Sequence, residues 1–416
     1  MSQGVDFLLV GAGELLTLEP DLGEGPLGVI RGGALAALDG RITWVGRTAE
    51  ARRAVWLLRG GRELDARGRV VMPGFVDSHT HLVFAGSREA EFARRVAGAT
   101  YQEIAAAGGG ILATVRATRD ATTDELVALG RRRLDLCLQH GTTTVEVKSG
   151  YGLTTADELK MLEAIQLLAE MHPVGVHPTF CGAHEVPPEF RGNTTGYVDL
   201  VVEEMLPEVA RRGLARYVDV FCEAGVFGVD EARRILEAGR ALGLRAKFHA
   251  DEFVAIGGAE LAAEVSALSA DHLLAARLDG VRAMKAAGVT ATLLPGTAFF
   301  LGLPYAPARA FLETGVRVAL ATDFNPGSSY TPNMQLIVTL ACTQMRMTID
   351  EALRAATLGG AHALGLEARV GSFRAGKACD LTVLDVPNHG YVPYLYGVNH
   401  VQTVVKAGRV AWPAEA

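Results

Sequence analysis

His79 and His81 stand one residue apart directly after an apolar, β-rich run at 70–76. Side chains two apart in an extended segment point to the same side, so both imidazoles can reach one ion. A lone pair of this kind also arises by chance on protein surfaces, and its meaning rests on where it sits. Three more groups share its setting. His249 closes a run at 245–249, His272 closes one at 267–272, and Asp323 follows one at 317–321. Imidazoles with one carboxylate form the donor set of a catalytic zinc or iron site that keeps a position open for water. Such an ion lowers the pKa of water towards about 7. Glu252, shortly after His249, is placed to move a proton as general acid/base and to touch the substrate. His272 has a competing claim, to orient the attacking water or stabilise an oxyanion.

The elements that must position these groups follow a regular alternation. Eight β-rich runs, at 70–76, 142–147, 174–180, 217–222, 245–249, 267–272, 289–294 and 317–321, are interleaved with Ala/Leu/Glu/Arg-rich stretches. The spacing predicts helices at 123–139, 155–171, 194–212, 230–242, 258–264, 277–287 and 307–314. Repeated βα units predict a parallel sheet, and eight close into a (β/α)₈ TIM barrel with its active site at the carboxyl ends of the strands. Both flanks are strand-rich. Asp39-Gly40 between two apolar runs signals a hairpin, and 376–385 and 401–412 are short strands with turns. We therefore expect a composite β-sandwich domain from residues 1–70 and 368–416 around a catalytic barrel at 71–367.

A net charge of −7 with no basic tract argues against a nucleic-acid groove and for a small-molecule substrate. Five scattered cysteines without a CxxC pair point to a reducing, cytoplasmic setting. The apolar run at 5–10 is broken by Asp6 and has no positive segment before it, and no stretch reaches membrane-spanning length.

Met72-Pro73-Gly74-Phe75-Val76-Asp77-Ser78-His79-Thr80-His81 resembles the opening signature of the amidohydrolase superfamily. Ser269-Ala270-Asp271-His272 resembles its sixth-strand histidine, and Asp323 after Ala319-Leu320-Ala321-Thr322 its eighth-strand aspartate. Five narrower runs resemble one branch of that superfamily, which works in histidine degradation. They are His81-Leu82-Val83-Phe84-Ala85-Gly86-Ser87-Arg88, Glu146-Val147-Lys148-Ser149-Gly150-Tyr151-Gly152-Leu153, Phe180-Cys181-Gly182-Ala183-His184-Glu185-Val186-Pro187, His249-Ala250-Asp251-Glu252 and Thr322-Asp323-Phe324-Asn325-Pro326-Gly327-Ser328. The resemblance implies hydrolysis of the lactam C–N bond of 4-imidazolone-5-propanoate to N-formimidoyl-L-glutamate. It also implies one Zn²⁺ or Fe³⁺ per subunit, held by His79, His81, His249 and Asp323. We expect a homodimer.

A small anion with a planar ring needs a cation and ring donors. Arg88 is the candidate clamp for the propionate, its alternative being a solvated arginine at the start of a helical stretch at 88–96. Tyr151, between Gly150 and Gly152, is a ligand-facing phenol or a core tyrosine. His184 is a donor to the substrate or a structural histidine. Asn325, Gly327 and Ser328 supply donors for the new carboxylate, or form a plain Asn-Pro-Gly turn. Lys148 follows the second run, whereas the bridging lysine of two-metal amidohydrolases belongs to the fourth, which here ends Phe221-Cys222-Glu223. One ion is the expectation, with Lys148 an ion-pair partner. The stretch Ala107-Gly108-Gly109-Gly110 borders the site or serves as a linker. Within the superfamily the rival is a purine-type deaminase, which needs no carboxylate clamp; a silent barrel would lack ligands, and none is missing.

Overall fold

The computed structural model describes residues 3–99, 103 and 108–413. Its first strand, β1 (Gln3–Leu16), sends alternate side chains to different clusters: Phe7 and Leu9 join Leu35, Ile42 and Leu381, while Leu8 joins Ala36 and Val55. β2 (Val29–Leu38) and β3 (Arg41–Arg47) form the expected hairpin, with Asp39 and Gly40 at φ 50° and 73°, the left-handed pair that a tight two-residue turn requires. β4 (Val55–Asp65) and β5 (Val70–Pro73) both pair with β1 in parallel, so the flanking sheet is mixed rather than purely antiparallel.

The run at 70–76 is not one strand. β5 ends at Pro73 and β6 (Phe75–Asp77) begins the second sheet. Gly74 is the pivot: a Cβ there would collide with the Thr143 side chain, so only glycine lets the chain pass this close. Its N–H donates to Asp380 O at 3.2 Å, and the next N–H, of Phe75, donates to Gly141 O at 2.9 Å. The changeover between sheets thus falls at Gly74 instead of at residue 70.

β6 is followed in strict parallel order by β7 (Thr142–Lys148), β8 (Gly175–Ala183), β9 (Tyr217–Cys222), β10 (Arg245–Ala250), β11 (Ser269–His272), β12 (Thr290–Leu293) and β13 (Val318–Leu320). The barrel closes just beyond the ends of β6 and β13. Asp323 N–H donates to His79 O and His81 N–H to Phe324 O, each at 3.0 Å. Asp77 accepts from the Thr322 amide at 3.0 Å and its hydroxyl at 2.6 Å. The three C-terminal strands, β14 (Leu381–Leu384), β15 (Val401–Lys406) and β16 (Arg409–Trp412), return to the first sheet, where β14 pairs antiparallel with β5.

Helices Thr123–Gln139 and Thr155–Met171 have the expected bounds, the first opened by a Thr122/Glu125 capping box. The stretch at 194–212 runs as Thr194–Leu200, a π-helical Val201–Met205 and Leu206–Arg212. Met334–Met345 is a further helix, buried at Met334, Ile337, Val338, Ala341 and Met345 and also at the polar Gln335 and Thr339, which blurs its amphipathic period. Among the described residues no helix is long and apolar enough to cross a membrane.

Candidate active site

His79 and His81 lie immediately past β6, on the segment hydrogen-bonded to the Asp323–Phe324 backbone, which fixes both relative to the eighth strand. His249 stands on β10 and His272 ends β11. His272 and Asp323 adopt left-handed φ of 76° and 52°, uncommon for residues other than glycine. At His272 this turn has a purpose. Strand alternation would send Asp271 and His272 to opposite faces, yet Asp271 contacts His79 while the His272 ring also stands 5.4 Å from that of His79.

The donor atoms converge. His81 Nε2 lies 3.2 Å from His249 Nε2, His79 Nε2 3.5 Å from Asp323 Oδ1, and His81 Nε2 3.9 Å from the same oxygen. Donors about 2.0–2.2 Å from a tetrahedral ion stand at separations of this order from one another. Two further observations fit a cation. The buried His79 Nε2 has no hydrogen-bond partner, and two imidazole nitrogens facing each other need a proton or an ion between them. Burial, with neighbouring cationic groups, holds His79, His81 and His272 well below the usual histidine range, in the neutral form that ligates. His272 and His184 also bring ring nitrogens within 4.8 Å of members of this set.

Each of two ligand candidates is aimed by a carboxylate. His79 Nδ1 is 2.7 Å from Asp271 Oδ2, and His249 Nδ1 is 2.7 Å from Asp219 Oδ1, which leaves both Nε2 atoms directed at the centre. Burial opposes ionisation of Asp219, yet His249 and Lys148 hold it well below the usual carboxylate range. Thr297 Oγ1 donates to Asp323 Oδ2 at 2.5 Å; burial pushes the Asp323 carboxyl up to about 6.

A cavity of about 920 Å³ opens over these groups and is lined by Arg88, Tyr151, His184, Glu252, Asn325, Gly327 and Ser328 as well as by His81, His249, His272 and Asp323. His79 lies beneath it, fully buried. Arg88 donates to Glu91 through Nε at 2.9 Å and pairs with it through Nη2 at 2.8 Å, while Nη1 packs so closely on Gly327 that a Cβ there would collide with it. The Tyr151 loop is clamped from below by Glu158, which accepts the amides of Gly150, Gly152 and Leu153 at 3.0, 2.8 and 2.8 Å. Gly150, at φ 107°, makes that loop possible, and its carbonyl meets His184 Nδ1 at 3.0 Å. The His184 ring stacks on His81 with centroids 4.6 Å apart.

Glu252 Oε1 stands 3.5 Å from His272 Nδ1. Burial, then Asp323 and Glu223, raise its carboxyl well above the ordinary glutamate range. Asn325 Oδ1 accepts the Gly327 and Ser328 amides at 2.8 Å each, which closes an Asn-Pro-Gly turn at the cavity wall. Of the glycine stretch, Ala107 lies outside the described residues; Gly110 N–H donates to Glu91 Oε1 at 3.0 Å, and Ile111 lines the cavity.

Sequence reasoning missed Asp219, Asp271, Asp77, Thr297 and Glu158. All are fully buried polar groups. A carboxylate inside an apolar strand, such as Asp219 between Val218 and Val220, is the signal that could have flagged the first two. Lys148, fully buried, pairs with Glu146 at 2.6 Å and Asp219 at 2.7 Å.

A parallel barrel with a histidine-rich, metal-type donor set at its carboxyl end defines a class, and the amidohydrolase family profile matches residues 70–411: the chain belongs to that family. Among its relatives there are imidazolonepropionases. It is 56% identical to the imidazolonepropionase of Symbiobacterium thermophilum over 98% of this chain and 97% of the other. It is 54% identical to that of Geobacillus kaustophilus over 92% of this chain and 91% of the other. Among solved structures it is similar to a zinc-bound adenosine deaminase from Xanthomonas campestris, with TM-score 0.73, 20% identity, and coverage of 99% of this chain and 93% of the other. A guanine deaminase from C. acetobutylicum gives TM-score 0.70 at 15% identity, covering 97% and 99%. At those identities the likeness shows the fold.

Proposed function

We propose that this protein hydrolyses the lactam C–N bond of 4-imidazolone-5-propanoate to N-formimidoyl-L-glutamate. The observation that carries this reading is Arg88, which faces the same cavity as the histidine and aspartate donors. A guanidinium has five N–H groups, and with Nε and Nη2 on Glu91 the Nη1 edge on the Gly327 side is the one to receive a propionate. A neutral purine has no use for that group, and this favours ring hydrolysis over deamination. The names of the relatives support the same substrate.

His79, His81, His249 and Asp323 would hold one Zn²⁺ or Fe³⁺. That ion would supply Lewis acidity, polarising the ring carbonyl and letting water lose its proton near neutral pH. The remaining roles belong to side chains. Arg88 holds the propionate, and the Tyr151 hydroxyl and His184 fix the ring plane above His81. Glu252 moves the proton: water adds to the carbonyl carbon and gives a proton to the Glu252 carboxylate, the C–N bond breaks, and the departing nitrogen takes that proton back from the Glu252 carboxyl. His272, beside Glu252, orients the carboxyl and the developing oxyanion. Asn325, Gly327 and Ser328 then face the new carboxylate.

Loss of the ultraviolet absorbance of imidazolone propionate, with guanine as the parallel substrate, tests the assignment. Turnover of guanine alone would replace it with a deaminase, and elemental analysis identifies the ion. We further propose a homodimer in the cytoplasm. The exposed, uncharged Tyr394, Leu395 and Tyr396 support the first, and five free cysteines the second. Light scattering and cell fractionation test them; a monomer or an exported protein would overturn them.

A further inference from the structure

Barrels of this kind fill their interior with apolar layers. The layer beneath this site is ionic instead: Glu146 and Lys148 of β7, Asp219 of β9, Lys247 of β10 and Asp271 of β11 all have no exposed surface. Burying charge is costly unless each is paired, so such a layer persists in a folded barrel only as a set.

Lys148 is its hub. Nζ lies 2.6 Å from Glu146 Oε1, 2.7 Å from Asp219 Oδ2 and 3.8 Å from Asp271 Oδ2. Thr179 Oγ1 donates to the same Glu146 oxygen at 2.5 Å, which anchors the base of the cluster. Lys247, 2.6 Å from Ser269 Oγ and 3.5 Å from Asp271 Oδ2, is a second cation at Asp271, whereas Lys148 alone of the two pairs with Asp219. One ammonium therefore joins the two carboxylates that contact the Nδ1 atoms of His249 and His79. The consequence is orientational. Each carboxylate is held between that ammonium and an imidazole Nδ1, which turns the Nε2 atoms of both rings towards the centre. The ammonium also occupies one side of Asp219, in the corner where Cys181, Asp219 and His249 bring potential ligand atoms within 4.8 Å of one another.

We propose that Lys148 is a positioning residue of the metal centre: its ammonium, lying between Asp219 and Asp271, holds the two carboxylates that orient His249 and His79 and takes the place of a second ion. This rests on the one-ion reading above. The shorter contact makes Asp219 the main route.

The test uses wild type, K148M, D219N and the K148M/D219N double variant. Zinc affinity of the metal-free proteins is measured by competition with a chromogenic chelator, zinc per chain by elemental analysis, and folding by far-ultraviolet circular dichroism. Wild type is expected to hold one zinc per chain, and K148M to bind it 10–100-fold more weakly, the usual loss when a partner behind a ligand is removed. Because Lys148 acts through Asp219, the double variant should bind no more than about twofold more weakly than D219N. Losses that multiply in the double variant, or wild-type affinity in K148M, overturn the proposal. If K148M or the double variant does not fold, E146Q/D219N with and without K148M decides by the same twofold criterion, since amides at 146 and 219 need no counter-ion and Asp271 keeps Lys247. Wild type that takes up neither zinc nor iron removes the metal reading and this inference together, whereas wild-type affinity in K148M removes this inference alone.

Discussion

His79 Nδ1 stands 2.7 Å from Asp271 Oδ2, and through this contact a residue that touches no substrate decides which imidazole nitrogen faces the centre. Replacing the acceptor by an amide, in Asp271→Asn, leaves the shape nearly unchanged but lets the side chain donate. Zinc affinity is expected to fall about 10–100-fold, read by chelator competition. Full affinity in this variant would show that packing alone orients His79.

Glu252, 3.5 Å from His272 Nδ1, carries proton transfer in the proposed reaction. Glu252→Gln should lower kcat about 10²- to 10⁴-fold with metal content unchanged. Stopped assays and elemental analysis on the same preparation separate the two readouts. Near-normal turnover would pass the role to His272.

In the proposed reaction Arg88 holds the substrate's carboxylate, so its removal should be felt in binding before chemistry. Charge-assisted hydrogen bonds contribute about 1.5–3 kcal/mol, which makes a rise in KM of about 10- to 100-fold the expected result for Arg88→Met, with kcat changed far less. A neutral analogue lacking the propionate should not distinguish the variant from wild type.

Gly327 offers a gentler probe of the same clamp, because an added Cβ would collide with Arg88 Nη1. Gly327→Ala is expected to raise KM by a smaller factor than Arg88→Met while leaving the melting temperature within a few degrees, since the residue is only partly buried at the cavity wall. An unchanged KM would mean that Nη1 is not the receiving edge.

Metal removal should destabilise the protein itself. An ion that binds only the folded state adds about 2.7 kcal/mol when present at a hundredfold excess over its dissociation constant. Dialysis against chelator should therefore lower the melting temperature by several degrees, and readdition of zinc or iron should restore it. Identical melting curves would sink the four-ligand assignment.

How much of this was written in the sequence depends on which periodicity a residue obeys. The run at 217–222 and the helix Thr123–Gln139 could be read directly, because β-rich composition and a capping box mark them. His79, His81, His249, His272 and Asp323 could be placed at strand ends, and they meet around one point. Asp219 and Asp271 stand out as carboxylates inside strands, but their partners could not be read, because a strand buried on both faces gives no alternation to say which side chains look inward. His272 evades the two-residue rule through its left-handed backbone. The split of 70–76 at Gly74 depends on a contact with Thr143, a neighbour far along the chain that local patterning does not reveal.

The closure of the barrel through His79, His81, Asp323 and Phe324 has a consequence for biosynthesis. The two halves of this seam, represented by Asp77 and Thr322, are 245 residues apart, so a chain emerging from the ribosome carries its first two histidines long before the strand that completes the site. A half-made chain presents a bare histidine pair with no carboxylate opposite it. The proposed donors stand together only when the eighth barrel strand has docked, so a bound ion would also mark a closed circle.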